Sequence, residues 1–256
     1  LNSFQNNQQH FKIQKSSPFT TGCFFDAPGH VNQITTFVIL KYTIMINIKI
    51  FVFNSFGVNS FVLHDDTGEC VIIDPGCNNP MEQEKLHSYI SENNLKPTAL
   101  INTHFHIDHI LGNHFVCETY NLVPTGHKAG AHFWESANDY SSMFGLEVDQ
   151  IRKPEKFVEH GDVIRFGNTQ LEVRYTPGHA DGSICLVNHE QKFVIAGDVL
   201  FQESIGRTDL PTGDFDVLMD SLDSQLFTLE NDFTVYPGHG PKTSIGHEKI
   251  ANPFIR

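Results

Sequence analysis

Apolar positions between residues 45 and 256 follow two rhythms. Short apolar runs bounded by Gly, Pro, Asn and Asp read as strands: residues 45–53, 60–65, 69–74 and 98–102 in the first half, then 169–175, 183–188, 192–196 and 233–236 in the second. The run ending at Asp74 closes into Pro75-Gly76, a turn signal directly after buried-type residues. Two stretches keep the helical period instead. One opens at Pro80, which suits a first helical turn, carries Leu86, Tyr89 and Ile90 on one face, and stops near Asn93-Asn94. The other spans 214–227, with Phe215, Leu218, Met219, Leu222 and Leu226 as its stripe. Each half thus runs strands first and helix after, an order that predicts an α+β layered sandwich over an alternating parallel sheet.

Residues 1–44 break this pattern. Asn and Gln are frequent there, neither period is present, and Asp26 is the one acidic residue against Lys12, Lys15 and Lys41. The expectation is that 1–44 form an extension created by a misplaced start upstream of Met45, and that 45–256 are the catalytic domain. The apolar stretch 34–53 is interrupted by Lys41, Asn47 and Lys49, short of the roughly 18 uncharged residues a membrane helix needs. No cleavable secretory signal stands out either.

Composition narrows the chemistry. Hydrophobic residues make up 39%, with Phe 22 among them, enough to build a core without disulfides. A formal net charge of -13 works against capture of nucleic acid phosphates or anionic lipid, so neither is expected as a partner. The five cysteines, Cys23, Cys70, Cys77, Cys117 and Cys185, are odd in number and lack C-x-x-C spacing. They suit neither a disulfide framework nor a thiolate metal site, and a reducing, cytoplasmic compartment fits best. Cys70, Cys117 and Cys185 fall in strand or helix patterns and read as core. The 15 histidines, in contrast, call for a search for ligand spacing.

That search finds Thr103-His104-Phe105-His106-Ile107-Asp108-His109 where a buried strand ends and a helix can begin. Residues two apart in extended chain point the same way, so His104 and His106 can present imidazoles to one ion. Asp108 and His109, in the loop or first helical turn, can face a second ion beside it. Mixed nitrogen and oxygen ligation suits zinc, with iron or manganese also able to bind. Three further segments each end a strand in a turn with a ligand-type residue at its tip: Tyr175-Thr176-Pro177-Gly178-His179, Ile195-Ala196-Gly197-Asp198 and Tyr236-Pro237-Gly238-His239-Gly240. Singly each is an ordinary loop sequence; together they are hard to explain as loops.

The T-H-x-H-x-D-H motif with the downstream His, Asp and His resembles the metallo-β-lactamase superfamily. Asn59-Ser60-Phe61, Asp74-Pro75-Gly76, the stretches 197–201 and 206–209, and the closing 238–241 to 252–254 resemble its short, single-domain glyoxalase II-like hydrolases. The resemblance spans 45–256 and leaves out 1–44. It implies a four-layer αβ/βα sandwich with the site at one edge. It also implies two divalent metal ions: His104, His106 and His179 on the first, Asp108, His109 and His239 on the second, and Asp198 bridging. Departures matter too. Flavodiiron proteins put Glu where His106 stands, and the best-known zinc β-lactamases put Cys where Asp198 stands. Full-length glyoxalase II has a C-terminal helical domain, whereas here the chain ends soon after His239, and a Lys-Phe-Tyr-type segment where this chain reads Arg207-Thr208-Asp209.

Such a site implies a hydrolase whose nucleophile is a metal-bridging hydroxide held by Asp108 and Asp198. A thiol of pKa about 8.5 departs as thiolate without a dedicated acid, and the sequence offers no obvious acid outside the ligand set, which favours a small-molecule thioester as substrate. S-D-lactoylglutathione and related small acyl-thiols are the expected class. The alternative is a mononuclear iron dioxygenase acting on glutathione persulfide; a non-catalytic binding module ranks third. Arg207 either binds a substrate carboxylate or braces its loop against Asp209. Asp74 reads as a turn residue or one that orients a ligand. His114 reads as part of a polar helix face, and His10, His30, His64, His87, His127, His132, His160, His189 and His247 as surface or structural. Ala27-Pro28-Gly29-His30 mimics the later Pro-Gly-His turns but has no strand before it.

Overall fold

The structure is a computed structural model that describes residues 45–137, 141 and 150–255. The extension expected at 1–44, with Cys23, His10 and the Pro-Gly-His mimic at His30, lies outside the described residues.

Two mixed six-stranded sheets form the frame. The first runs β1 (Asn47–Phe53), β2 (Val58–His64), β3 (Glu69–Ile73), β4 (Lys96–Ile101), β5 (Pro124–Gly126) and β6 (Lys156–Phe157), hydrogen-bonded in that order. Its first three strands are antiparallel and the rest join in parallel. The second contains β7 (Val163–Phe166), β8 (Thr169–Tyr175), β9 (Ile184–Asn188), β10 (Phe193–Gly197), β13 (Thr234–Pro237) and β14 (Thr243–Ser244), in spatial order β14-β13-β10-β9-β8-β7. A small hairpin, β11 (Leu200–Phe201) with β12 (Ser204–Ile205), leads away from the end of β10.

Period two in the strands builds the layers. Val71 and Ile73 of β3, with Phe61, Leu63 and Ile101, face Leu171, Val173, Ile184, Leu186 and Ile195 of the other sheet. Their neighbours Cys70 and Ile72, with Val62 and Leu100, turn outward onto Leu86 and Ile90 of α1 (Pro80–Glu92) and Val116 and Cys117 of α3 (Asn113–Tyr120). In the second sheet Cys185, Val187, Val194 and Val235 pack outward on Leu218, Leu222 and Leu226. Those leucines belong to α5 (Phe215–Ser221) and the π-helical turn Leu222–Leu226 that continues it. Helix, sheet, sheet, helix is the expected four-layer sandwich, and Cys70, Cys117 and Cys185 are buried, free core thiols.

Caps fix the two anticipated helices. Asn79 accepts from Glu82 N and precedes Pro80 at the first helical position, while Asp214 accepts from Val217 N. The long strands fall within a few residues of the sequence reading. The four-residue β13 matches the reading at 233–236, whereas β7 and the two- and three-residue strands do not appear in it; β5 is Pro-Thr-Gly, and β6, β11, β12 and β14 are too short to show a period. Strands β3, β4, β8, β10 and β13 all end at one edge, so their following loops converge there. Among the described residues no helix is long and apolar enough to cross a membrane.

Candidate metal centre

The loops at that edge bring together all the histidines and aspartates singled out by spacing. Three groups lie with their ligand atoms within 4.8 Å of one another: His104, His106 and His179; His104, His109 and Asp198; and Asp108, His109 and His239. His106 Nδ1 is 3.1 Å from His104 Nε2 and 3.0 Å from His179 Nε2. Asp198 lies between the two sides, with Oδ1 3.4 Å from His109 Nε2 and Oδ2 3.7 Å from His179 Nε2 and 3.6 Å from His239 Nε2. His239 Nε2 is also 3.1 Å from Asp108 Oδ2.

Each element delivers its residue for a local reason. β4 ends at Ile101, and Thr103 is pinned to Asp74 by both its backbone N–H (2.7 Å) and its hydroxyl (2.6 Å). His104 and His106 follow in extended chain, then α2 (Ile107–Ile110) carries Asp108 and His109 in its first turn. Asn54 Nδ2 donates to the Asp108 carbonyl and Asn102 Nδ2 to that of His109, fixing this turn from both sides. Asn59 Nδ2 donates to the carbonyls of Pro237 and Gly240, clamping the loop that presents His239. Gly238 is required there, because a Cβ would lie 2.1 Å from Asp198 Oδ1. Gly178 has φ 119° and would meet the Leu218 backbone at 2.3 Å, so only glycine lets the β8 loop bring His179 in.

The outer bonds set the ring tautomers. His109 Nδ1 donates to Asp74 Oδ2 at 3.0 Å, His179 Nδ1 to the Arg207 carbonyl at 2.9 Å, and His239 Nδ1 to the Phe56 carbonyl at 3.2 Å. His104 Nδ1 donates to Thr103 Oγ1, whose own hydrogen goes to Asp74. All four rings therefore direct Nε2 inward, where each can give its lone pair to an ion once that nitrogen is unprotonated. Asp74 is fully buried and serves the role of an orienting residue foreseen from sequence.

His106 Nδ1 faces two such nitrogens at about 3 Å; a proton on it can serve only one of them, whereas a cation among the three would serve all. Ligands at about 2.0–2.1 Å around a tetrahedral ion sit about 3.3 Å apart, close to the spacings of the His104, His106 and His179 nitrogens. Two atoms make the same point: His109 Nε2 and Asp198 Oδ1 are buried and have no hydrogen-bond partner. The residues fit a dinuclear metal site.

Charge follows the same layout. Burial disfavours a proton on His104, and neighbouring His109, His106 and His179 push its pKa further down; burial and His179 bring His106 down to about 3. Burial also opposes charge on His109, but Asp108, Asp198 and Asp74 overcome it and hold its pKa well above the usual value. Burial pushes the Asp198 and Asp108 carboxyls up, yet His109 and its companions leave both below the ordinary carboxylate range. The second side thus demands positive charge, and the first offers neutral imidazoles.

A cleft of about 370 Å³ opens beside the cluster, bordered by His106, Asp108, His179, Asp198 and His239 on one side and Phe56, Phe105, Ile107, Phe133, Leu210 and Pro211 on others. Arg207 stands at this cleft, its guanidinium paired with both oxygens of Asp209 at 2.8 and 2.7 Å and 60% exposed. The remaining described histidines stay out of the cluster. His114 on α3 accepts from Arg152 Nε at 3.2 Å, His127 stacks on Tyr175, His132 packs on Phe133 and His160 Nδ1 accepts from Tyr175 N. His64 meets Tyr89, His87 meets Tyr120, His189 meets Glu172 and His247 meets Glu203. Sequence reasoning did not find Phe56 or Phe133, since an aromatic in a loop or on the five-residue helix α4 (Ala131–Glu135) carries no spacing signal.

The family model of the metallo-beta-lactamase superfamily matches residues 54–239, and the chain belongs to that superfamily. Fold, cluster and family together make it a metal-dependent hydrolase of this class. Within the class it is similar to hydroxyacylglutathione hydrolase GloC of Haemophilus influenzae, 35% identical over 215 residues, 82% of this chain and 98% of that protein. It is also 37% identical over 224 residues to the Streptococcus pyogenes protein named Probable metallo-hydrolase M6_Spy0554, covering 85% of this chain and 94% of that one. Among solved structures, TTHA1623 in a di-iron-bound form superposes with a TM-score of 0.73 at 32% identity, over 81% of this chain and all of that one.

Proposed function

We propose that the protein is a dinuclear thioesterase of glyoxalase II type acting on S-D-lactoylglutathione or related small acyl-thiols. In this reading His104, His106 and His179 hold one ion, Asp108, His109 and His239 hold the other, and Asp198 bridges them. The carrying observation is the pair of buried, unpartnered atoms, His109 Nε2 and Asp198 Oδ1, facing each other at 3.4 Å. A single iron, as the persulfide dioxygenase alternative would have it, would use this ligand set only in part, whereas two ions would engage every member of it. When bound, divalent ions, zinc or, as in the di-iron relative, iron, would supply Lewis acidity and a water acidified to a pKa of about 7.

The chain's own residues do the rest. Asp108 and Asp198, kept ionised by the imidazoles around them, accept a proton-bearing nucleophile at the cleft floor and orient it. Apart from the cluster, Arg207 is the one ionisable side chain lining the cleft among the described residues, and a guanidinium does not donate its proton. That favours a leaving group that needs no general acid, which a thiolate is and an amine is not. Arg207 is proposed to meet a substrate carboxylate by exchanging it for Asp209. Among the described residues the free thiols Cys70, Cys77, Cys117 and Cys185 are buried and pushed up to about 12, 12, 11 and 12, so they take no part; they suit the reducing cytoplasm as the proposed compartment.

The test is a thioester panel that includes S-D-lactoylglutathione, assayed with protein of measured metal content. Hydrolysis that tracks two ions per chain is expected. Stoichiometric oxygen uptake with glutathione persulfide and iron-loaded protein, with no thioester turnover under any metal, would overturn the reading. Arg207→Ala should raise KM for carboxylate-bearing thiols more than for neutral ones; an equal effect on both makes Arg207 a brace for its loop.

A further inference from the structure

The cleft's walls differ in kind. Leaving aside the cluster and Arg207, every described residue that lines it is apolar, with Phe56, Phe105, Ile107, Phe133, Leu210 and Pro211 doing most of the lining. The wall is also held in place. Phe133 is 4% exposed and meets the His106 ring edge-on, centroids 4.8 Å apart at 86°. Phe105 is buried beneath it against the backbones of Gly126 and Gly130, where a Cβ would come within 2.5 and 2.9 Å of its ring. Such a surface gives a buried substrate hydroxyl no side-chain partner, and leaving one unpaired costs binding, whereas an alkyl or aryl group is stabilised by leaving water.

We propose that this wall is a specificity surface for an apolar group of the substrate, with Phe133 and Leu210 as specificity-determining residues. The proposal rests on the thioesterase reading for which substrate is turned over. The apolar group can come from either arm of a thioester, acyl or thiol; the recognition chemistry is the same. Phe133 is in addition a positioning residue for His106, while Leu210 is half-buried and touches none of the cluster in the contacts described.

Two measurements on the metal-loaded protein test this. The first is kcat/KM over two series: acetyl, butyryl and hexanoyl thioesters of N-acetylcysteamine, and thioacetates of methyl, butyl and hexyl thiols. The second is calorimetric binding of non-hydrolysable S-methyl, S-butyl and S-hexyl thioethers of N-acetylcysteamine. Affinity should rise roughly fourfold per methylene until the group fills the cleft, and kcat/KM should rise likewise in one of the two series, which identifies the arm. Leu210→Asn should flatten both slopes with metal content unchanged, and Phe133→Ala should flatten them and shift the preference toward bulkier groups. A flat response in both series and in binding overturns the proposal, as does a slope that both variants leave intact. Thioether binding with the expected slope but no thioester hydrolysis keeps the apolar surface and removes the thioesterase reading. Hydrolysis with no slope does the reverse.

Discussion

The two ends of the sandwich each hold a largely shielded aspartate, and the two carboxylates are used in opposite ways. At the end away from the cluster, Asp65 follows β2 and is 2% exposed. Its Oδ1 accepts from the Thr67 N–H and hydroxyl at 3.0 and 2.5 Å, and its Oδ2 from Asn168 N and Thr169 Oγ1 at 2.7 and 2.9 Å. That stitches the turn of the first sheet to the β7–β8 turn of the second, and every lone-pair direction is taken up. At the other end Asp198 Oδ1 has no hydrogen-bond partner, and the nearest groups are the imidazole Nε2 atoms of His109, His179 and His239 at 3.4, 3.7 and 3.6 Å. Both carboxyls are acidic despite burial, Asp65 because donors of its own fold satisfy it and Asp198 because His109, His179 and His239 surround it. Burial alone does not separate a structural aspartate from a ligand; the count of satisfied lone pairs does.

The largest expected effect breaks the ligand end. Asp198→Ala should lower kcat/KM by at least about two orders of magnitude, because in the proposed site both ions would lose a shared carboxylate. Elemental analysis should find fewer ions per chain than in the unaltered protein. Chelation should lower the thermal midpoint of the unaltered protein, since ions bound only to the folded state add about 2.7 kcal/mol when present at about a hundred times Kd, and should lower that of the variant far less. Unaltered turnover in Asp198→Ala would sink the bridging role.

Breaking the other end should cost stability and spare chemistry. Asp65→Ala leaves two backbone N–H groups and two hydroxyls without their acceptor, a loss of about 3 kcal/mol read as a lower urea midpoint. Metal content and kcat/KM at low temperature should hold. If turnover fell as far as in Asp198→Ala, the two ends would not be separable.

Acid sharpens the same contrast. Burial raises the Asp65 carboxyl, but its bonds to Thr67, Asn168 and Thr169 prevail and set it below the ordinary 3.8. A depressed carboxyl contributes stability that is complete above the unfolded-state value and is lost as pH falls through the folded one. The thermal midpoint of the metal-free protein should therefore drop below pH of about 4, and Asp65→Asn should flatten that acid limb while lowering the plateau. An acid limb unchanged in Asp65→Asn would assign it to other carboxylates.

The ligand end was the more legible of the two in the sequence. His104, His106, Asp108 and His109 lie within one strand-to-helix junction, and the strand-tip turns before His179, Asp198 and His239 are marked by Gly and Pro. Asp74 was readable as an orienting residue because a strand and a Pro-Gly turn bracket it. Asp65 was not: it is an Asp in an ordinary turn, and its partners Asn168 and Thr169 stand a hundred residues away, where only the packing of two sheets brings them close. Phe133 was invisible for the same reason, since its contact with His106 crosses from a short helix to a loop. Local spacing encodes residues that share a strand end, whereas contacts between layers depend on the sandwich itself.

The smallest effect is expected at His114, which lies only ten residues beyond His104 in the chain. It sits partly buried on α3 and outside both the cluster and the cleft lining. Its contact is with Arg152, whose guanidinium also pairs with Glu118 and keeps that partner when the imidazole is removed. His114→Ala should therefore shift the urea midpoint by less than about 1 kcal/mol in stability and leave kcat/KM and metal content unchanged. A route to the site does exist through its neighbour: Asn113 Nδ2 donates to Asn102 Oδ1 at 2.9 Å, and Asn102 Nδ2 donates to the His109 carbonyl at 3.1 Å. A tenfold loss of kcat/KM in His114→Ala, with the urea midpoint unmoved, would mean that α3 sets the position of His109 through this pair. Asn102→Ala measured alongside should then reproduce the loss, and its failure to do so would return the effect to His114 itself.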